Sequence, residues 1–352
     1  MLEMLSENAL AALIGALGGI VLGLASRLGR FCTLGAIEDV LYQGSSLRLR
    51  MWFLAIGVAM IASFLLIGAG LLVAEDAVYL AFEFNPLAAI FGGLVFGYGM
   101  ALSGNCGFGA LARLGGGDLR YFVIVLVMGI SALVTISGPL AYLRVWIFPT
   151  PAADGPVPPG LAHLLSSWTG VSPVTFGLLV GAIFVVGALW SVFSTENRKE
   201  IFWAAMVGLA VASGWFGTQY IANHGFAATQ VVTHTFSAPL GETILYFMTA
   251  SGSSLNFGIG SVLGVLAGAY IGSLFLGHFR WEACEDPREL RRQIIGGALM
   301  GIGAVVAFGC TIGQGISAFS LLAYSAPLVF ISIFIGASFG LKQLIEGFSF
   351  SR

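Results

Sequence analysis

The stretch Gly92–Cys106 recurs farther along the chain as Gly296–Cys310. Gly92, Gly93, Gly97, Gly99 and Cys106 stand against Gly296, Gly297, Gly301, Gly303 and Cys310, all at one offset of 204 residues. A glycine follows each thiol at the same distance, Gly109 and Gly313. A chain that repeats a unit of this length must build the same local structure twice. Small residues every four positions, ending on a cysteine, read as a helix that packs closely and then breaks.

Composition decides the solvent of that repeat. The chain is 58% hydrophobic and 9% charged, whereas soluble domains carry about 25% charged residues. Too little polar surface exists to coat a water-soluble particle, so lipid is the surrounding medium. The net charge of −2 and the lack of a basic run argue against nucleic acid. Cysteines at 32, 106, 284 and 310 form no CxxC pair, hence no disulfide framework or zinc pattern. The acidic N-terminus, Met1 to Asn8, has no basic region of a cleavable signal. The expected fold is all-α and polytopic. A crossing takes about 20 residues, which predicts nine spans near Ala9–Leu28, Trp52–Val73, Leu87–Ser103, Tyr121–Leu143, Val174–Phe193, Ile201–Gly217, Phe257–Leu276, Ile294–Ala307 and Leu328–Leu344.

With the N-terminus outside and the C-terminus cytoplasmic, Arg144 alone among the 15 Lys and Arg residues falls on the outer side. That bias orients the chain. The third span then enters from the acidic outer loop (Glu75, Asp76, Glu83), and its copy, the eighth, enters after the basic inner stretch His278–Arg292. The copies run in opposite directions. The expectation is one membrane transport domain over residues 1–352, with inverted halves near 9–143 and 201–344 joined by the span 174–193, and a site between the halves.

Three cysteines sit where glycine interrupts an apolar run. Gly104-Asn105-Cys106-Gly107 and Phe308-Gly309-Cys310-Thr311 are the repeat copies, and Arg30-Phe31-Cys32-Thr33 is a third such break. Broken backbone at membrane depth is tolerated only inside protein or along a cavity. Short helices are expected to restart at Gly107–Leu114 and Gln314–Ala323, with free N–H groups toward the thiols. Arg30 suits an oxyanion, and Gln314 lies along the route after Cys310. A thiol is a weak donor and a soft, polarizable acceptor. Cys32, Cys106 and Cys310 therefore suit a sulfur-bearing anion or a soft metal, held weakly enough to leave. A selenium compound fits the same chemistry, and a membrane sulfur-transfer enzyme with a reactive cysteine is a further alternative. Cys284, in a charged loop, reads as an exposed thiol without a role. Lys199 and Lys342, the only lysines, lie in no G-x-x-x-x-G-K frame, so nucleotide hydrolysis is not expected. No cofactor or metal is called for. The segment Phe226–Ser237 reads as a wet loop on the outer side, and Thr218, Gln219 and His224 as part of that connection.

Gly29-Arg30-Phe31-Cys32, Cys106 after the first Gly-rich span and Gly309-Cys310 after the second together resemble the YeeE/YedE family of inner-membrane sulfur transporters, over nearly the whole chain. The resemblance implies a transporter rather than an enzyme. It implies thiosulfate uptake along a path of three thiols, Cys32, Cys106 and Cys310; the neighbours Arg30, Gly104, Asn105, Gly107, Gly309, Thr311 and Gln314 are the residues expected to support that path. It also implies an hourglass of nine spans with half-membrane helices, and a cytoplasmic TusA-like sulfur-carrier protein as a partner. Members often show Gly-Gly-Cys at both repeats, where this chain has Gly104-Asn105-Cys106 and Phe308-Gly309-Cys310.

Overall fold

The computed structural model describes residues 6–153, 158–190, 198–226, 229–283 and 286–347. Cys284 and the end of the expected span Val174–Phe193 lie outside the described residues. The described chain is helical: α1 (Glu7–Leu28), α2 (Thr33–Glu38), α3 (Leu47–Gly68), α4 (Pro86–Ser103), α5 (Gly107–Gly115), α6 (Arg120–Ile136), α7 (Pro139–Ile147), α8 (Leu161–Thr169), α9 (Pro173–Leu189), α10 (Arg198–His224), α11 (Ala238–Thr249), α12 (Phe257–Phe275), α13 (Pro287–Val306) and α14 (Ser325–Glu346). Short π stretches at Asp39–Gln43 and Gly313–Ala318, a 3₁₀ turn at Phe319–Leu321 and isolated β-bridges accompany them among the described residues.

Local sequence explains where the long helices start. Side chains of Ser6, Asn85, Ser172, Asn256 and Asp286 each accept a backbone N–H of the following turn, which satisfies an otherwise orphaned donor. Pro86, Pro173 and Pro287 open their helices with no N–H to lose.

Six helical stretches among the described residues are long and apolar enough to cross a membrane, and a seventh if α6 and α7 count together. Nine were expected. The segment Tyr121–Leu143, read as one straight span, bends by 61° between α6 and α7, where Ser137-Gly138-Pro139 interrupts the ladder. Helix α9 has 17 residues, and α13 opens on a charged turn. Helix α10 runs on to His224, beyond the expected end at Gly217, so Thr218 and Gln219 are buried helix residues rather than loop.

Glycine sets the packing. Gly15, Gly19 and Gly23 of α1 press against the backbone of α12, whose Gly260, Gly264 and Gly268 press back. The repeat copies α4 and α13 cross each other directly. A methyl group built on Gly92 would lie 2.8 Å from the carbonyl oxygen of Gly303, and one built on Gly296 would lie 2.6 Å from that of Gly99. As numbering rises along α4 it falls along α13, so the copies are antiparallel. The 204 shift carries the contact Gly92–Gly303 onto Gly296–Gly99, and the crossing is reciprocal. The flanks follow suit. Gly97 of α4 lies against Ile333 and Ala337 of α14, and its counterpart Gly301 of α13 lies against Met128 and Ala132 of α6.

The ends of α1, α2 and α5 and the start of α3 meet around Arg27, Arg48, Arg113 and Arg280 on one basic face. On the opposite face the connections are tied together by main-chain bonds, Val78 N–H to Val231, Glu83 N–H to Pro151 and Tyr324 N–H to Pro159. Between the faces the chain breaks beside each of the three cysteines.

Candidate functional site: three cysteine turns and a basic vestibule

Each thiol follows the same backbone turn. The residue two before the cysteine is left-handed in all three cases: Arg30 (φ 54°) before Cys32, Gly104 (φ 77°) before Cys106 and Phe308 (φ 57°) before Cys310. A helix arriving at this residue is closed, and the chain turns to set the thiol at the start of a new stretch. Helix α4 shows the closure, with the Gly104 N–H bonded to the carbonyls of Met100 and Ala101. Glycine adopts this conformation freely, but a side chain costs about 1–2 kcal/mol. Arg30 and Phe308 are held there against that cost. All three left-handed residues are exposed, whereas Cys106 and Cys310 are buried.

The thiols then cap helices. Cys32 Sγ accepts the Gly35 N–H at 3.5 Å at the start of α2, and Cys106 Sγ accepts the Gly109 N–H at 3.4 Å at the start of α5. The expected restart Gly107–Leu114 is therefore present as α5. The expected helix Gln314–Ala323 is present in a different form. The chain from Gly313 to Ala318 is a wide π turn that tightens to a 3₁₀ turn at Phe319–Leu321, since Gly313 and Gly315 weaken α-helix there. Cys310 takes its N–H from elsewhere, Phe236 at 3.3 Å.

That donor corrects the reading of Phe226–Ser237 as a wet loop. Thr233, His234, Phe236 and Ser237 are buried. Phe226 and Gln230 are exposed and 227–228 lie outside the described residues, but the stretch 231–237 runs into the core and leads into α11, and Ser317 Oγ donates to the His234 carbonyl at 2.7 Å. Thr235 Oγ1 lies 3.8 Å from Cys310 Sγ.

In the first half of the chain neighbours are exchanged. Cys32 donates to Asn105 Oδ1 at 3.7 Å, and Thr33 Oγ1 lies 3.9 Å from Cys106 Sγ. The residue beside each thiol thus serves the other thiol. Asn105 in turn donates through Nδ2 to the Tyr121 hydroxyl at 3.1 Å. Cys106 is central, within electrostatic reach of both Cys32 and Cys310. Thr311, fully buried, faces the Cys106 thiol and makes no well-formed hydrogen bond. Gln314 is a clamp. Its Nε2 donates to the carbonyls of Ala307 and Phe308, each at 3.0 Å, and its Oε1 accepts from Ser325. It fixes the turn before Cys310 and has no polar atom left over for a solute. Gly107 lies against Met128 and the Phe236 carbonyl, and Gly309 packs on Gln314.

A cavity of about 360 Å³ opens from the basic face and reaches Cys32, Gly104 and Asn105. Five arginines line it, Arg27, Arg30, Arg48, Arg113 and Arg280, against the three carboxylates Glu38, Asp118 and Glu282. Arg48 is spent in part on Asp39, at 3.3 Å, and Arg113 lies over the Tyr121 ring, 5.4 Å from its centre. Arg27 Nε is buried without a partner. Arg120, outside the lining, is paired with Asp118 at 2.8 Å and so takes up one of the three carboxylates. The excess of cations and the polar wall make the vestibule a place for an anion. On the opposite face a smaller cavity of about 50 Å³ ends on Tyr79, Phe82 and Phe308.

The family profile described as sulphur transport matches residues 28–339, which span all three cysteine turns. The chain belongs to the sulphur-transport family. It is similar to a protein named thiosulfate transporter TsuA from Spirochaeta thermophila, 28% identical over 92% of this chain and 96% of that one. A thiosulfate transporter TsuA from Escherichia coli is 26% identical over 92% of each. Family membership makes this a multi-pass membrane protein that transports a sulfur-containing anion, not an enzyme. The sequence singled out the cysteines, Arg30 and Asn105. It missed Thr33, Tyr79, Tyr121, Thr235 and Phe236, whose roles arise only when separate breaks meet.

Proposed function

We propose that this protein imports thiosulfate across the inner membrane along a path marked by Cys310, Cys106 and Cys32. Its N-terminus then lies outside, and it releases the ion into the arginine-lined vestibule on the cytoplasmic side. The two halves, residues 9–143 and 201–344 with Val174–Phe193 between them, are inverted copies that share the path. The observation that carries this reading is the threefold left-handed turn, which sets each sulfur beside a hydroxyl or amide oxygen at 3.7–3.9 Å.

The geometry suits handover. Each sulfur already accepts a backbone N–H, from Gly35, Gly109 or Phe236. Its own S–H proton remains free to donate. At rest that proton has only a long contact to oxygen, which the soft terminal sulfur of thiosulfate replaces at little cost. No bond to the cargo forms or breaks. Weak contacts at successive stations let the ion leave as readily as it arrives. The hydroxyls of Thr33, Thr235 and Thr311 offer donors to the oxyanion end, and the vestibule arginines hold the charge after passage. A TusA-like carrier on the cytoplasmic side is the partner this reading pairs with the vestibule mouth. The soft-metal alternative gains no support, since no cluster of metal ligands occurs among the described residues.

Uptake of labelled thiosulfate by proteoliposomes tests the proposal. Cys106→Ala is expected to cut uptake at least tenfold, the equivalent of about 1.4 kcal/mol on the passage barrier. Cys32→Ala and Cys310→Ala are expected to lose less, because each has polar neighbours in its turn. Competition by sulfite, sulfate and selenite reads the cargo. Wild-type uptake in all three variants would remove the thiols from the mechanism.

A further inference from the structure

The three turns before the cysteines share a backbone but not a side chain at the left-handed position. Gly104 leaves its site open, and the vestibule reaches it. Its repeat counterpart, 204 residues on, is Phe308, held at φ 57° where a glycine relaxes the strain. Phe308 is 37% exposed and lines the small cavity on the face away from the arginines. It stands edge-on to Phe82, ring centres 5.2 Å apart, and edge-on to Tyr79, 5.9 Å apart. Tyr79 is the next layer inward. A methyl group on Gly313 would lie 2.6 Å from the Tyr79 hydroxyl and 2.5 Å from Thr235 Oγ1, so these hydroxyls share one small space, and Thr235 touches Cys310. Contacts thus run from the exposed Phe308 through the buried Tyr79 and the half-buried Thr235 to the buried Cys310. Gln314 clamps the carbonyls of Ala307 and Phe308 and so fixes the backbone that carries the ring, leaving the side chain free to turn.

We propose that Phe308 is the outer gate of this chain. Its ring, propped by Phe82 and Tyr79, closes the external approach to a station formed by the Tyr79 and Thr235 hydroxyls and the Cys310 thiol, and it must swing aside to admit the anion. The orientation and the path rest on the function proposed above. The strain is what marks the residue. A phenylalanine in a left-handed turn opposite a glycine in the other copy has a local cost and no local reward except the contacts that shut this mouth. The gate makes the two mouths unequal, wide and cationic on one side, narrow and aromatic on the other.

Right-side-out membrane vesicles and a membrane-impermeant cationic methanethiosulfonate test this, with modification of Cys310 read peptide by peptide by mass spectrometry. A gate that is closed nine-tenths of the time holds labelling about tenfold below the open rate. Phe308→Gly, which matches Gly104, is expected to raise the Cys310 labelling rate by about that factor, and Phe308→Tyr to leave it unchanged. Phe82→Ala removes the prop without touching the turn, and carries the test should Phe308→Gly not fold. A rise of threefold or more in either variant supports the gate, and a smaller change in both overturns it. Labelling reads exposure and not transport, so this outcome is separate from that of Cys310→Ala in the uptake assay.

Discussion

Thr311 is the residue where polarity and burial are most at odds. Its hydroxyl is fully buried and makes no well-formed hydrogen bond, having only the weak Cys106 thiol to face, a state that costs about 1–3 kcal/mol. Placed beside the central thiol, it is a donor held ready for an oxygen that arrives with the cargo. Thr311→Val keeps the shape and removes the orphan. The expected result is a thermal midpoint equal to wild type or higher, together with a several-fold rise in KM for thiosulfate. A lower midpoint with unchanged KM would make the hydroxyl a structural group. This role was not legible in the sequence, where Thr311 was only the neighbour of a cysteine. Arg30 and Phe308 hid the common turn for a related reason. A left-handed residue normally announces itself as glycine, and here only Gly104 does. The alignment of Phe308 with Gly104 held the signal that could have revealed it.

Helix packing depends on the absence of side chains at chosen positions. In α12, any Cβ on Gly264 meets the carbonyl of Ala16 in α1, with no flexible side chain to give way. Gly264→Ala therefore forces the two backbones apart and is expected to destabilise the protein by about 1–3 kcal/mol, read as a lower melting temperature in detergent. Gly187 in α9 provides the contrast, since nothing lies within 4 Å of the same methyl group. Gly187→Ala is expected to stabilise by about 0.5–1 kcal/mol, through helix propensity alone. Both glycines look alike in an apolar stretch. The four-residue spacing of Gly260, Gly264 and Gly268 was the legible part, and it identified a packing stripe but not its partner. The breaks at Cys32, Cys106 and Cys310 were also legible, because glycine beside a thiol ends an apolar run. The buried segment leading to Ser237 was not, because Thr233, His234, Thr235 and Ser237 give it the composition of a surface loop. Only its contact with Cys310 shows why those polar groups lie inside.

Taken whole, the molecule has a cationic end and an aromatic end, and the repeat explains how one chain makes both. The antiparallel crossing of α4 and α13 brings the two copies together through Gly92, Gly99, Gly296 and Gly303. The same turn then opens toward opposite sides. The charge bias of the sequence expects the arginine end in the cytoplasm. A green fluorescent protein fused after Arg352 is expected to fluoresce, and alkaline phosphatase at the same place to stay silent. The reverse pattern would invert the proposed direction of release.

The exchange of neighbours around the thiols has a mechanical consequence. Asn105 reaches over to Cys32, and Thr33 to Cys106, so the first two turns are laced together by a pair of reciprocal contacts. Thr235 and Phe236 lace the third turn to its own side in the same way. Among the contacts that cross from one laced unit to the other is a greasy one, the rings of Phe108 and Phe236 with centres 5.5 Å apart. Rings slip where hydrogen bonds hold, so the plane along which this protein yields runs between those two phenylalanines.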